Sequence, residues 1–239
     1  MEIKLDLHIH SERSPDGRMS VAEIVSLARA RGLDGAAICD HDAVLTDAPE
    51  FEDFLVIPGV EVSTQLGHLL GLFVTTPVET RDFFEAVELI HAQGGLAVLA
   101  HPFEHSRDGQ RLTPAVPMLD GVEVQNSRAE RKIRDANALA RAFAEKHALR
   151  QFGGSDAHCS AEVGNSFTVV DAPELTPEAV KAALLAGNAA ARGHASRAWY
   201  VARSQLTRRR KTGASPAAYA KWAAFAAKCC IQDIFRRGE

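Results

Sequence analysis

The hydrophobic pattern of this 239-residue chain switches repeatedly between the period of a strand and that of a helix. Segment 5–10 alternates apolar and polar side chains, which is typical of a β-strand with one face in the core. A capping box begins at Ser20, with Glu23 three residues later, and predicts a helix that ends at Gly32. Strand and helix signals continue to alternate, which predicts an α/β fold with a parallel sheet.

The same pattern predicts the remaining elements. We expect further strands at 35–39, 55–63, 67–73, 96–100, 121–126, 152–158 and 167–170. We expect further helices at 80–93, 128–147 and 176–187. The polar segment 43–53 contains a proline and is too short and interrupted for a helix. So many strand–helix units in one chain favour closure of the sheet into a barrel.

Polar residues follow the predicted strands where each of them ends. In parallel barrels, active sites gather at these carboxyl ends. His8 and His10 lie on the same side of the first strand, and such a pair can chelate one divalent ion. An isolated pair of this kind is more often structural, but His, Asp and Glu recur at the later strand ends, which favours one shared site.

Six histidines and three carboxylates form the candidate ligand set, which is more than one ion accepts. They are His8, His10, Asp16, His41, Glu61, His68, His101, Asp156 and His158. Nine titratable side chains gathered without a cation would be costly to bury. The sequence therefore predicts two or three divalent metal ions, with a carboxylate such as Glu61 bridging two of them. Mixed imidazole and carboxylate ligands suit manganese, iron or zinc.

Charge divides the chain into two regions. Residues 196–239 carry ten basic and two acidic side chains, which give this segment a net charge of +8. Because the whole chain has a net charge of −4, residues 1–195 carry −12. We predict a barrel domain over 1–195 and a basic extension of two helices over 196–239. The basic helices could steer an anionic substrate or contact short nucleic acid, or they could simply be solvated.

Composition narrows the cellular setting. The four cysteines have no spacing typical of a disulfide framework or a zinc knuckle. No apolar run is long enough to span a membrane, and the chain starts directly with a strand rather than a signal peptide. We therefore expect a cytoplasmic protein without a membrane partner. The sequence sets no oligomeric state.

Taken in order, the motifs resemble those of the PHP (polymerase and histidinol phosphatase) family. The resemblance covers about residues 1–195 and implies a distorted (β/α)7 barrel of the TIM type and a metal-dependent phosphoesterase. Its motifs here are Asp6-Leu7-His8-Ile9-His10 with Asp16-Gly17, Asp40-His41-Asp42, Gly59-Val60-Glu61-Val62-Ser63, His68-Leu69-Leu70-Gly71, Ala100-His101-Pro102 and Gly154-Ser155-Asp156-Ala157-His158.

The resemblance also implies how the ligands divide among the ions. One ion would bind His8, His10, Glu61 and Asp156, a second Glu61, His68 and His101, and a third Asp16, His41 and His158.

Two departures from the family change the expected surroundings of the site. The segment between Asp42 and Glu61 is short, so a barrel helix is reduced or missing, and no large insertion fits between His68 and His101. We therefore expect a more open pocket.

The ligand set and the resemblance predict hydrolysis of a phosphate ester of a small molecule or nucleotide by attack of a hydroxide that bridges two ions. Asp42 could orient an imidazole or take a proton from the water, and Arg128 could bind the phosphate with its bidentate fork. The alternatives are a plain hydrogen-bonding role for Asp42 and a solvated position for Arg128. Two other functions stay open, which are a nuclease acting on short RNA or DNA and a catalytically silent barrel that serves as an interaction or nucleic-acid-binding module.

Overall fold

A computed structural model describes residues 1–236, in which a nearly closed barrel-shaped sheet is followed by two helices. The strands are β1 (Glu2–Ile9), β2 (Gly35–Ile38), β3 (Leu55–Thr64), β4 (Gly67–Leu72), β5 (Leu96–Leu99), β6 (Gly121–Asn126), β7 (Gln151–Gly154), β8 (Ser166–Asp171) and β9 (Ala189–Gly193). The helices are α1 (Val21–Ala30), α2 (Phe83–Ala92), α3 (Ala136–Lys146), α4 (Pro177–Ala186), α5 (Ala198–Lys211) and α6 (Pro216–Arg236). The distorted TIM-type barrel expected from the sequence is confirmed.

The sheet departs from the predicted parallel arrangement at β4, and again at β8 and β9. Strands β1, β2 and β3 are parallel to one another, and so are β5, β6 and β7. Strand β4 is antiparallel to both β3 and β5. Only residues 65 and 66 separate β3 from β4, which is too short for a parallel crossover. The tight hairpin therefore reverses this strand.

The barrel closes at the carboxyl ends of its first and last parallel strands. Strand β8 is antiparallel to the start of β1, pairing with residues Glu2–Leu5. At the other end of β1, His10 N donates to Ala157 O at 2.9 Å, and Asp156 N donates to His8 O at 2.7 Å. The last predicted ligands are thereby joined by the backbone to the first.

Strand β1 follows its alternating pattern in the structure. Leu5 and Leu7 pack into one apolar cluster with Ile57 of β3. On the opposite face, Asp6, His8 and His10 are all fully buried. The polar face of this strand is thus directed at other polar groups inside the barrel rather than at solvent.

Two helix predictions have different outcomes. Helix α1 begins at the predicted capping box, in which Ser20 and Glu23 bond to each other's backbone. The helix expected over 128–147 is shorter, because α3 begins only at Ala136. Before it, the Asn126 side chain accepts the backbone N–H groups of residues 128 and 129, which holds the chain in a turn.

Two smaller expectations concern irregular or weak segments. No helix forms in 43–53, as predicted. Strand β9 was not predicted, since its sequence, Ala189-Ala190-Ala191-Arg192-Gly193, has a low intrinsic preference for strands. It forms through antiparallel pairing along β8.

The two predicted tail helices are present and pack against each other. The indole of Trp222 donates to Ala202 O at 2.8 Å, and the Asp233 carboxylate accepts the N–H groups that start α5. Residues 237–239 of the predicted extension, with Arg237 and Glu239, lie outside the described residues. Among residues 1–236, no helix combines the length and the apolar character needed to cross a lipid bilayer.

Candidate metal centre

Glu61 on β3 lies at the centre of the predicted ligands. Its Oε1 atom is 2.6 Å from His68 Nδ1 and 3.0 Å from His101 Nε2. Its Oε2 atom is 2.7 Å from His41 Nδ1. The side chain is 1% exposed, so three imidazoles from three different strand ends meet one buried carboxylate.

The end of β1 and the residues after β7 form a second part of the cluster. The Nε2 atoms of His8 and His10 are 3.1 Å apart. His10 Nε2 also lies 3.3 Å from Asp156 Oδ1 and 3.4 Å from Glu61 Oε2. The two imidazoles thus aim their outer nitrogens at the same point, beside two carboxylates.

Asp16, in the loop after β1, completes the set. Its Oδ1 atom is 3.4 Å from His158 Nε2, and its Oδ2 atom is 3.6 Å from His41 Nε2. All nine predicted ligands therefore belong to one continuous cluster at the mouth of the barrel, where the parallel strands end and the antiparallel strand β4 begins with His68 near its start. Their assignment as metal ligands stays a prediction.

Three groups of side chains in the cluster have donor atoms close enough together to hold an ion. Within each group the donor atoms lie within 4.8 Å of one another, and the groups are His10/His41/His158, His8/His10/Asp156 and His8/Glu61/His101. Asp16 Oδ1 and Glu61 Oε2 are buried and accept no hydrogen bond of good geometry from the described residues, although imidazole nitrogens lie 3.4 and 2.7 Å from them. Buried carboxylate oxygens without well-directed hydrogen bonds are costly, and divalent cations would compensate them. The donor set therefore fits the expected ions.

Opposite charges dominate the electrostatics of the cluster. Burial alone would raise the pKa of Glu61, but His68, His41 and His8 hold that pKa well below its usual range. Burial alone would lower the pKa of His101, but its contact with Glu61 raises it to about 9. Glu61 is thus ionised, and a protonated imidazole such as that of His101 would have to lose its proton before it could bind a cation.

Two of the clustered residues have unfavourable backbone conformations. His101 has φ 27° and Asp156 has φ 54°, in the left-handed region that residues other than glycine rarely adopt. His101 N is held by Glu123 Oε2 at 3.0 Å, and Asp156 N by His8 O at 2.7 Å. Such strain persists where surrounding contacts fix the backbone, which is typical of functional sites.

Glu123 on β6 is a site residue that the sequence analysis did not identify. It is 2% exposed, and its carboxylate accepts His8 Nδ1 at 3.1 Å, His101 N at 3.0 Å and Asn126 Nδ2 at 2.9 Å. A carboxylate behind a ligating histidine fixes the ring and its tautomer. A lone Glu within the apolar strand Gly121–Asn126 was the signal available in the sequence.

Replacing Glu123 by Gln tests this supporting role. We expect the affinity for Mn²⁺ to fall by roughly 10–100-fold, because the His8 ring loses its charged partner. Isothermal titration calorimetry of the purified variant measures this loss. Glu145→Gln, on the exposed side of α3, is the matched control and should bind like the wild type. Equal affinities for wild type and Glu123→Gln would refute the role.

The catalytic role of Asp42 stays a prediction, and the structure shows the hydrogen bonds that its side chain makes. Its carboxylate accepts Arg81 Nη1 at 3.0 Å and Ser63 N at 3.0 Å. It is also absent from the residues that line the cavity above the cluster. Through the contacts with Arg81 and Ser63, Asp42 joins the end of β3 to the loop after β2, which is the hydrogen-bonding role given as its alternative.

Arg128 reaches the site but differs from the prediction in its bonding. It is 8% exposed, and its Nε and Nη2 atoms donate to the Glu162 carboxylate at 2.7 and 2.8 Å. Glu162 also accepts His158 N at 3.1 Å. The bidentate fork that we expected to bind phosphate is therefore paired within the protein, and it supports the backbone at His158.

A cavity of about 550 Å³ opens above the cluster, and α5 forms one of its walls. The residues that α5 contributes are Val201, Ser204, Gln205, Arg208 and Arg209. A pocket more open than in the family stays a prediction. In this chain, which has no insertion between His68 and His101, the tail contributes a wall of the cavity.

Lys211 joins this tail to a ligand loop. Its ammonium donates to Glu12 O at 2.7 Å, Ser14 O at 2.8 Å and Gly17 O at 2.9 Å. The loop contains Asp16, and the Ser14 hydroxyl lies 3.1 Å from His10 Nδ1. This basic residue therefore has a structural role, since it uses all three of its protons on the backbone beside the cluster.

The sequence of this chain is similar to known protein families and to individual proteins. The model of the PHP domain matches residues 6–88, and that of the PHP-associated segment matches 134–189. An uncharacterized protein of Methanocaldococcus jannaschii is 34% identical over 175 residues, covering 69% of each chain. A 5′–3′ exoribonuclease of Haemophilus influenzae is 40% identical over 81 residues, which cover 30% of this chain and 29% of that one.

Similarity also extends to solved structures. A two-domain protein of Bacteroides vulgatus, described as containing a predicted PHP-like metal-dependent phosphoesterase, superposes with a TM-score of 0.64 and 20% identity. The match covers 87% of this chain and 70% of that one. At this level of identity the likeness concerns the fold, which is that of PHP-like barrels.

Proposed function

Because the chain belongs to the PHP family, we propose that it is a metal-dependent phosphoesterase that hydrolyses a phosphate ester of a small molecule or nucleotide. The observation that carries the proposal is the cluster around the buried Glu61, in which nine candidate ligands meet and two buried carboxylate oxygens accept no hydrogen bond of good geometry from the described residues. We propose manganese, iron or zinc as the metal, with two or three ions bound.

Each part of the site has a task in this reaction. Bound divalent ions would lower the pKa of water and neutralise charge on the phosphoryl oxygens. Glu61 holds His41, His68 and His101 together on one side, and Glu123 fixes the ring of His8 on the other. The protein thus supplies a preorganised set of donors and needs no serine or cysteine nucleophile.

The size of the cavity favours a small substrate. Pockets of roughly 300–1,000 Å³ are typical of small-molecule sites, and this cavity has about 550 Å³. The wall formed by α5 limits access from one side of the mouth. We propose that residues 1–195 act as the catalytic barrel and that 196–239 act as a basic helical extension that contributes this wall.

A nuclease is the second candidate. The similarity to an exoribonuclease over 81 residues and the basic tail favour it. Since α5 covers part of the mouth, a single-stranded end would enter more easily than a duplex. A catalytically silent barrel is disfavoured, because all nine candidate ligands are present and their donor atoms meet.

A hydrolysis screen tests the proposal. The purified protein, loaded with Mn²⁺, Fe²⁺ or Zn²⁺, is incubated with a panel of phosphomonoesters and with end-labelled oligonucleotides. We expect release of inorganic phosphate from at least one small ester. Shortening of oligonucleotides without phosphate release would favour the nuclease, and no hydrolysis by folded, metal-loaded protein would refute both enzymatic proposals.

A further inference from the structure

Three arginines line the cavity, and an anionic substrate would bind to one whose guanidinium is not already paired. The predicted donor, Arg128, is neutralised by Glu162. Arg209 also lines the cavity, but it donates to Ala218 O at 3.2 Å and to Gln205 O at 3.1 Å. Arg208 lines the same cavity, and its guanidinium has no hydrogen bond or ion pair to any described residue. It is therefore the unpaired arginine of the cavity wall within residues 1–236.

Contacts on both sides of Arg208 fix its place above the cluster. One turn earlier, the Ser204 hydroxyl accepts Arg128 Nη1 at 3.3 Å. One turn later, Lys211 is bound to the backbone of the loop that contains Asp16. These two anchors are seven residues, or about 10 Å, apart along the helix. Arg208 is thus held on the stretch of α5 that lies between Arg128 and the Asp16 loop.

The exposure of Arg208 indicates which part of a substrate it meets. The predicted metal ligands are buried or half-buried at the floor of the cavity, and a phosphate under attack would lie on the ions that they hold. Arg208 is exposed, so it stands at the mouth. A guanidinium in this position would meet the part of the substrate that extends away from the ester undergoing hydrolysis. Arginine selects for planar, anionic oxygen groups such as phosphate.

We propose that Arg208 is a specificity-determining residue that binds a second phosphate group, carried by the alcohol part of the substrate. The inference rests on the proposed phosphoesterase function and narrows its substrate class to phosphate esters that carry another phosphate. A small doubly phosphorylated molecule and the end of a nucleic-acid strand both provide this chemistry.

Binding of non-hydrolysable ligands tests the inference without turnover. Alkane diphosphonates of two to six carbons and the matching monophosphonates are titrated by calorimetry into Mn²⁺-loaded wild type, Arg208→Gln and Arg210→Gln. Arg210 is also exposed on α5 but does not line the cavity, so it is the matched control. We expect the wild type and Arg210→Gln to bind at least one diphosphonate about tenfold more tightly than its monophosphonate. Arg208→Gln should lose this preference and bind the monophosphonate within about twofold of wild type.

Three outcomes would overturn the inference. The first is a wild type that does not prefer diphosphonates, and the second is an Arg208→Gln variant that keeps the preference. The third is a variant that binds the diphosphonate and the monophosphonate more weakly by the same factor, which would place Arg208 on the phosphate under attack. Because no hydrolysis is needed, an Arg208-dependent preference together with a failed hydrolysis screen would refute the enzyme proposal alone. A trinucleotide with a 5′-methylenephosphonate identifies the source of the second phosphate. Weaker binding of this trinucleotide to Arg208→Gln than to the wild type indicates a strand end. Equal binding to both indicates a small molecule.

Discussion

Replacing Glu61 by Gln will lower the phosphate-releasing activity by more than about a hundredfold and reduce the number of bound metal ions. The carboxylate contacts His41, His68 and His101 at 2.6–3.0 Å, and an amide of the same shape lacks the charge that compensates cations. Because Glu61 is central to the cluster, the change affects more than one ion position at once. Phosphate release and metal content by plasma mass spectrometry measure the two effects.

Two controls separate this effect from misfolding. Circular dichroism should show an unchanged barrel in Glu61→Gln, since the amide fills the same space. Glu88→Gln, on the exposed face of α2, removes one carboxylate elsewhere and should keep wild-type activity and metal content. If Glu61→Gln keeps the wild-type metal content and also the wild-type activity, Glu61 does not bridge two metal ions.

Replacing Arg128 by Met will destabilise the protein by about 3–5 kcal/mol. The substitution leaves the Glu162 carboxylate, which is 0% exposed, without its cation. The hydrogen bonds from Arg128 to Ser204 and Tyr200 O on α5 are lost as well. Chemical denaturation in urea, followed by far-UV circular dichroism, measures the change in the free energy of unfolding.

Two companion variants make this result specific. Arg128→Met with Glu162→Leu removes both charges and should regain most of the lost stability, because no buried charge is left alone. Arg107→Met breaks a pair with Asp135 that is 61% and 48% exposed, and it should cause no measurable change. If Arg128→Met has the same free energy of unfolding as the wild type, the buried pair contributes nothing to stability.

The convergence of the candidate ligands could be predicted from the sequence because local rules place them. Alternation along β1 orders His8 and His10 on one face, and the ends of later strands supply His41, His101 and Asp156. Each inference needs only a short window of sequence and the rule that parallel strands end at one edge.

The surroundings of the site could not be predicted, because they depend on contacts between distant parts of the chain. Glu123 and His8 are 115 residues apart, and Lys211 lies 199 residues from the Glu12 carbonyl that it binds. The motif of Arg128 likewise gives no sign of Glu162, its buried partner. These contacts change the interpretation most, since they pair the Arg128 guanidinium with a buried carboxylate and make part of the tail a wall of the cavity.

The convergence of nine side chains on a shared set of cations is tested most directly by anomalous diffraction from crystals of the Mn²⁺-loaded protein. Two or three manganese peaks should lie at the strand ends, each in contact with one of the three ligand groups that meet around Glu61 and His10. Crystals of metal-loaded protein with no peak at this mouth, or with peaks only elsewhere on the chain, would contradict the account.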